Sequence, residues 1–403
     1  MNSNLAATRA RPVVLVLVGH YLPGFKAGGI LRSVENLVNH LHREFQFLIV
    51  TRDRDLGDEV PYPNIKYDEW QTVGNASVYY LVEGDNSLAE LLQIVEITPH
   101  DLLYLNSFFE PITVRVLWNR KLHGAQRQPI LLSPRGEFAW ASLRQKHLKK
   151  TLFIWLARLT GLYAPVTWHA SSAFEADDIA KVMRVPKRKI QLALDLPTIE
   201  GTAVSCAADF VEVPEYTGLR VIFLSRISPE KNLDFALKVL RKVRSRVTFE
   251  IVGPVENVEY WEKCQKLRDE LPSHVTTRAL GSIKPSEVFR TLAQYDLLFF
   301  PSGGENYGHV IAEALTVGTS VLTSTNTPWR NLAARNLGWD LPLDDSISFV
   351  RVLDEMALEG GRAKLARRKI VRESMRDFLA DPSVLEGNRQ LFEMALNRTE
   401  YQG

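Results

Sequence analysis

The chain has little cysteine, no large excess of charge of either sign and no long apolar run, and each shortage removes a class of protein. Only two cysteines, Cys206 and Cys264, occur in 403 residues. Their spacing forms neither a disulfide framework nor a metal site, which suits a reducing compartment. The 49 basic and 47 acidic residues leave a net charge of +2, with no long basic block, so nucleic acid is not an expected partner. No segment approaches the roughly 20 apolar residues of a membrane-spanning helix. The first apolar run, residues 13–18, is too short for a signal-peptide core and reads as a strand. A cytoplasmic protein is expected. The nine histidines lack metal-ligand spacing and no nucleophile–base arrangement stands out. No metal site is legible in that spacing.

What is present is alternation. Short apolar runs at 13–18, 47–51, 78–81, 102–105, 130–133, 166–169 and 190–194 read as strands. Helical patterns at 31–41, 87–95 and 143–159 fall between them, the mark of parallel βα units. After an irregular stretch at 198–213 a second series begins, with strands at 220–225, 248–252, 275–280, 296–301 and 320–324. Its helices fall at 233–243, 259–269, 285–293 and 310–317, followed by polar-faced helices near 346–358, 362–379 and 384–397. The expected fold class is α/β, with two Rossmann-like doubly wound domains at 1–200 and 201–380, and a terminal helical segment at 381–403. Residues 1–10 read as a loose tail.

The chemistry concentrates in residues 301–326, PSGGENYGHVIAEALTVGTSVLTSTN. Here Glu305 sits in the loop after a buried strand, and Glu313 lies eight residues on, within the first turns of the next helix. Ligands of open α/β sheets bind at that rim. Amides around Tyr307 and Gly308 would point out of a helix N-terminus, a seat for phosphate. Two carboxylates beside an anion seat suit a ligand that also carries hydroxyls, such as a ribose and a sugar. Upstream, LRVIFLSRISPEK places Arg226 and Lys231 at another strand end. Arginine makes a bidentate fork onto a diphosphate, and lysine acts as a point charge beside it. In the first half, Gly28 and Gly29 at a helix start let backbone amides approach an anion closely. This loop is not the G-x-G-x-x-G fingerprint of dinucleotide oxidoreductases.

These motifs resemble the Glu-x₇-Glu and Gly-Arg-x-x-x-x-Lys signatures of the family-four retaining glycosyltransferases, enzymes of the GT-B fold. Ser225 replaces the usual glycine, and Asn306-Tyr307-Gly308 stands where Gly-Phe-Gly is common. The resemblance implies two domains facing a cleft, a nucleoside-diphosphate sugar as donor, retention at the anomeric carbon and independence from metal. It implies a catalytic group of Glu305, Arg226 and Lys231. Glu305 would meet the donor sugar's hydroxyls and Glu313 the ribose. Gly28, Gly29, Ser282, Ile283, Asn306, Tyr307 and Gly308 would complete the donor site, with Ser282 and Ile283 offering backbone groups to the base. His20, Asn106, Arg135 and Glu137 are acceptor-side candidates, while His169 reads as a satisfied buried histidine. The last helix would return to the first domain. Asn326-Thr327-Pro328-Trp329 is similar to a segment of the polysaccharide-assembly branch. That implies a saccharide or lipid-linked saccharide acceptor in exopolysaccharide, capsule or O-antigen synthesis. Two alternatives are a GT-B sugar-nucleotide epimerase and a non-catalytic GT-B scaffold.

One stretch stands apart. In residues 143–162, Arg144, Lys146, Lys149, Lys150 and Arg158 are interleaved with Leu148, Leu152, Phe153, Trp155 and Leu156. Such a stretch either lies on an anionic bilayer, here the inner face of the plasma membrane, or packs its apolar side into the core with the lysines solvated.

Overall fold

The structure, a computed structural model, describes residues 11–82, 84, 87–124, 128–144, 147–198 and 218–397. The expected tail at 1–10, nearly all of the irregular stretch at 198–213, Cys206 and Lys146 lie outside them. Two compact units divide the chain. Unit 1 comprises Met1–Glu137, Leu148–Leu196 and Val384–Gly403, and unit 2 comprises Phe138–His147 and Pro197–Ser383.

Strands β1 (Val13–Leu17), β2 (Gln46–Arg52), β3 (Gln71–Val73), β4 (Ala76–Leu81), β5 (Leu102–Asn106), β6 (Ile130–Ser133), β7 (Val166–Ala170) and β8 (Ile190–Leu192) form the sheet of unit 1. Their order is β3-β4-β2-β1-β5-β6-β7-β8, and only β3 pairs antiparallel. The intervening helices are α1 (Gly29–Leu41), α2 (Ser87–Ile97), α3 (Pro111–His123), α4 (Trp140–Arg144), α5 (His147–Leu159) and α6 (Ala173–Met183). Residues of β1, β5, β6 and β7 are buried almost throughout, as expected of parallel strands covered on both faces. The helix expected over 143–159 is divided between α4 and α5.

Unit 2 contains β9 (Leu219–Leu224), α7 (Leu233–Leu240), β10 (Val247–Val252), α8 (Val258–Asp269), β11 (Val275–Gly281), α9 (Val288–Leu292), β12 (Leu297–Phe300), α10 (His309–Thr316), β13 (Ser320–Ser324), β14 (Gly338–Leu341), α11 (Ser346–Leu358) and α12 (Gly361–Leu379). Its strand order is β11-β10-β9-β12-β13-β14, and all pairs are parallel. The final helix, α13 (Pro382–Asn397), contributes Phe392 to the core of unit 1. That ring meets Tyr104 edge-on at 5.4 Å and lies 5.4 Å from Phe45. Burying such a side chain stabilises by about 1.5–3 kcal/mol. Asn388 Nδ2 also donates to the Leu194 carbonyl at 2.7 Å.

In each sheet the chain reverses its direction of growth once near the middle. Unit 1 switches between β1 and β5, and unit 2 between β9 and β12. At such a switch point the loops after neighbouring strands diverge and leave a crevice at the carboxyl edge.

Candidate functional site

The unit 2 site is built on the loops that follow β9 and β12. After β9, Ser225 and Arg226 pass close to Gly253. A Cβ on Gly253 would lie 1.9 Å from the Ser225 carbonyl oxygen, and its φ is +141°, so only glycine fits. The chain then makes a 3-10 turn, Pro229–Lys231. Asn232 follows in the left-handed region and donates from Nδ2 to the Pro301 carbonyl at 3.0 Å. The Gly303 amide donates back to the Glu230 carbonyl at 2.7 Å. These bonds fix the two loops to each other.

Across that seam Lys231 Nζ lies 2.6 Å from Glu305 Oε1. The two side chains are only 9% and 12% exposed, so this pair is largely desolvated. Ser302 Oγ donates to the same oxygen at 2.6 Å. Its other acceptors, at 3.0 and 3.4 Å, are secondary, because a hydroxyl has one proton. Both donors land on Oε1, which leaves Oε2 to accept from a ligand. The Lys231 ammonium also lies 5.8 Å from the centre of the Phe300 ring. Arg226 Nη1 contacts Glu256 Oε1 at 2.9 Å, with side chains 32% and 45% exposed, so this guanidinium is accessible. Arg226, Lys231 and Glu305 therefore share one rim, at the switch point of the sheet.

Gly308 caps α10 with φ +82°. A side chain there would be strained and would press on Ile311 Cδ1, 3.1 Å away. The Tyr307 carbonyl accepts from Trp329 Nε1 at 2.6 Å, and the two rings meet edge-on at 5.7 Å. This fixes the Asn306–Gly308 turn and aims the first-turn amides of α10 along the rim. Glu313 lies one turn later and is buried at 8% exposure. Ser282 and Ile283 follow β11, the edge strand, separated from β9 by β10. Ser282 is exposed, whereas Ile283 packs partly against the core.

In unit 1 the expected residues divide into two groups. Gly28, with φ +69°, is the N-cap of α1, and Gly29 opens that helix. His20 Nδ1 is 3.0 Å from the Arg54 carbonyl. A carbonyl only accepts, so Nδ1 carries the proton in this contact, and Nε2 is the ring nitrogen left for another partner. The loop between them is held by Asp55, which accepts from the amides of Phe25 (2.8 Å) and Lys26 (3.1 Å). These three residues remain on the carboxyl edge of β1.

Asn106, Arg135 and Glu137, the other acceptor-side candidates, turn inward instead and are bonded to neighbours within unit 1. The Arg135 side chain is 2% exposed and ion-pairs with Asp195 at 2.7 Å. It also donates to Asn106 Oδ1 at 2.9 Å and to the Tyr104 hydroxyl at 2.9 Å. Tyr104 in turn contacts His169 Nδ1 at 2.7 Å, while His169 Nε2 faces the Ala193 carbonyl at 2.9 Å. Nε2 must donate to that carbonyl, so Nδ1 accepts from Tyr104 and the ring is neutral. Burial pushes the His169 imidazole down to about 4. His169 is the satisfied core histidine expected of it. Glu137 accepts from Ser107 Oγ at 2.6 Å and from the amides of Phe108 and Phe109. Burial still pushes its carboxyl up to about 7, against those donors and Lys150. Its work is to shape the loop after β5.

Several members of these sites gave no separate sequence signal. Ser302, Glu256, Asp195 and Glu175, which accepts from the Gly136 amide at 2.7 Å, belong to this list. The signal that Ser302 does carry is its place three residues before Glu305 in the same loop.

Helix α5 presents two sides. Phe153, Ile154 and Ala157 face inward, with Phe153 against Phe108 at 5.6 Å. Leu148, Leu152, Trp155, Leu156 and Leu159 are 83%, 56%, 53%, 43% and 68% exposed. Their spacing puts them on one outward stripe. Lys149 is exposed, whereas Lys150 folds over the Phe109 ring at 5.2 Å and is only partly solvated. Among the described residues, no helix is long and apolar enough to cross a membrane.

Residues 209–365 match the family model described as "Glycosyl transferases group 1". An "Uncharacterized 41.2 kDa protein in cps region" of Klebsiella pneumoniae is 21% identical over 66% of this chain and 71% of its own length. A phosphatidyl-myo-inositol mannosyltransferase of Mycolicibacterium smegmatis is 28% identical over 45% of this chain and 48% of its own length, so less than half of that relative is spanned. The crystal structure of Anabaena Alr3699/HepE in complex with UDP and glucose superposes with a TM-score of 0.67 at 16% identity, over 95% of this chain and 99% of that one. With the two doubly wound sheets, the structural likeness shows the GT-B fold, and the group 1 glycosyltransferase likeness covers residues 209–365, the part of the chain that carries Arg226, Lys231 and Glu305.

Proposed function

We propose that the protein transfers a sugar, with retention, from a nucleoside-diphosphate sugar to a saccharide or lipid-linked saccharide acceptor in surface-polysaccharide assembly. The observation that carries this reading is the rim of Arg226, Lys231 and Glu305 at the switch point between β9 and β12. Arg226, Lys231 and the first-turn amides of α10 would hold the diphosphate. Glu313 would take the ribose, Glu305 Oε2 a sugar hydroxyl, and the backbone at Ser282 and Ile283 the base. Within unit 1, the backbone at Gly28 and Gly29 would offer a further anion seat, and His20 Nε2 would accept a hydrogen bond from the acceptor saccharide. In transfer, the bond from the anomeric carbon to the diphosphate oxygen breaks, and its electron pair stays with the diphosphate. The acceptor hydroxyl oxygen bonds to that carbon and gives up its proton to the departing phosphate. The growing negative charge is met by fixed cations and dipoles, which is electrostatic catalysis.

The capsule-region relative and the mannosyltransferase support the polysaccharide reading. The outward stripe of α5 and the exposed Lys149 support peripheral contact with an anionic membrane, where a lipid-linked acceptor would reside. The test is a thermal-shift titration with UDP in EDTA, followed by product analysis with UDP-sugars and a lipid-linked glycan. UDP at about 100 times its dissociation constant should add about 2.7 kcal/mol. A new glycoside supports transfer, whereas release of free sugar alone, or stabilisation only with added magnesium, would refute it.

A further inference from the structure

The stripe of α5 does not end on flat surface. Where it runs out, a cavity of about 450 Å³ is lined by Trp155, Leu159, Tyr163, Trp168, Met183 and Arg184, among others. That volume lies within the range of about 300–1,000 Å³ typical of small-molecule sites. Its floor is buried: Trp168, Tyr163 and Met183 are 0%, 3% and 6% exposed. Trp168 stacks on Tyr163 at 5.9 Å, and Tyr163 on Phe108 at 4.3 Å, which makes the floor rigid and apolar. Its mouth is formed by Trp155 and Leu159, two members of the exposed stripe, so the cavity opens onto the surface proposed to meet the membrane.

Its position separates it from the transfer site. The lining segments lie where α5 and α6 end and the chain turns back toward β7 and β8. This is the amino-terminal edge of the sheet, opposite the edge that carries Gly28, His20 and the loop after β5. Its rim has a second character. Arg184 lines it from residues 181–189, KVMRVPKRK, a segment without one acidic residue whose Lys181, Lys187, Arg188 and Lys189 flank the lining in sequence. Arg158 joins them from α5. Lys187 meets Asp177 at 3.0 Å, but with side chains 83% and 68% exposed that contact is screened by solvent.

An apolar cavity, an apolar stripe at its mouth and a cationic rim together describe the complement of one ligand class. We propose that this cavity takes the apolar chain of an anionic bilayer lipid, with the head group held by the 181–189 segment and Arg158. The proposal rests on the membrane contact stated above and adds to it a defined site for one lipid molecule, away from the transfer chemistry.

The probes are monomeric dodecyl phosphate, measured by calorimetry below its micellar concentration, dodecanol, and vesicles containing phosphatidylglycerol. Three variants separate the contributions. Ala164→Trp fills the cavity from its exposed rim, where Ala164 sits in a turn. Arg184→Asn removes a rim charge while tolerating the left-handed φ of +55° at that position. Leu152→Glu breaks the stripe outside the cavity lining. Thermal melts confirm that each variant is folded. Wild type should bind dodecyl phosphate more tightly than dodecanol. Ala164→Trp should lose at least about tenfold of that affinity, and Arg184→Asn should weaken only the phosphate ligand. Leu152→Glu should lose vesicle binding and keep dodecyl phosphate. If wild type binds vesicles while a folded Ala164→Trp binds both ligands unchanged, the cavity site is overturned and the membrane contact stands. Wild type that binds vesicles but neither ligand overturns the cavity site alone, and wild type that binds neither ligand and no vesicle overturns both. Wild type that binds dodecyl phosphate but no vesicle overturns the bilayer source.

Discussion

Replacing Glu305 with alanine should damage the fold as well as the chemistry. At 2.6 Å and an effective dielectric constant near 20, the gross attraction between Lys231 and Glu305 is about 6 kcal/mol. Desolvation of both groups offsets much of this, so the pair adds little relative to an apolar substitute. Removing one partner is different, because the remaining charge stays in a site with side-chain exposure of only 9%. Breaking a buried pair in this way costs about 3–5 kcal/mol. The Ser302 hydroxyl loses its closest acceptor but retains the Gly304 carbonyl at 3.0 Å, so it adds little. For a unit the size of unit 2, each kcal/mol shifts the melting temperature by about 2–4 °C. Glu305→Ala should therefore lower the unit 2 transition by roughly 6–20 °C in scanning calorimetry. Glu305→Gln, which keeps an acceptor for Ser302 and Lys231, should lose less. It should also bind UDP more tightly than wild type, because the diphosphate no longer competes with a carboxylate for Lys231, while sugar transfer falls. A Glu305→Ala protein melting within about 2 °C of wild type would refute the reasoning, since the lysine would then be shown not to depend on its partner.

Glu313→Ala should weaken UDP in calorimetry by about 1.5–3 kcal/mol, the range for a hydrogen bond to a charged group, whereas Glu305→Gln should not weaken it. Gly253→Ala should abolish folding of unit 2, seen as loss of its calorimetric transition, because the new Cβ meets a backbone oxygen that has no room to move. Glu137 gives a pH signature: its carboxyl is raised from 4.5 to about 7, so the folded chain holds that proton more tightly than the unfolded one. The stability this gives is complete below pH 4.5 and is lost as pH rises through 7, a change of about 3 kcal/mol. Glu137→Gln should remove that slope from a plot of melting temperature against pH. His169 acts on the acid side: its pKa is depressed to about 4, so stability present above pH 6.5 should decline as pH falls through 4.

The sheets were legible because parallel strands are buried on both faces and appear as plain apolar runs. Of the elements that break this rule, β8 and β11 still showed as apolar runs, whereas two others did not. β3 and β14 are short edge strands, and β14 begins at Gly338, where a Cβ would strike the Val321 backbone. α3 carries Ile112, Thr113 and Val114 in its first turn and scatters its apolar residues around the axis, so it shows no helical stripe. α6 did have a signal, since Ser172 accepts from the Glu175 amide as an N-cap, and Ser-x-x-Glu is a known helix start. Within the site, Arg226, Lys231, Glu305 and Glu313 were legible as local motifs. The inward turn of Arg135 was not, because the carboxylate that neutralises it, Asp195, lies 60 residues downstream. No local pattern distinguishes a loop arginine that faces solvent from one that has a distant buried partner.

The placement of Phe392 bears on the order in which the chain assembles. Multidomain chains generally fold from the N-terminus as they emerge from the ribosome. Here the strands of unit 1 are made first, yet Phe45, Phe47 and Tyr104 wait for an aromatic ring nearly 300 residues beyond Tyr104. Unit 2 is complete in sequence by Ser383, before that ring is synthesised. The later unit therefore has all its residues first, and the earlier one stays open until translation is almost finished. A nonsense mutation that deletes only the last helix would leave the sheet of unit 2 intact and expose the core of unit 1, so such a truncated chain should meet chaperones and proteases through its N-terminal half.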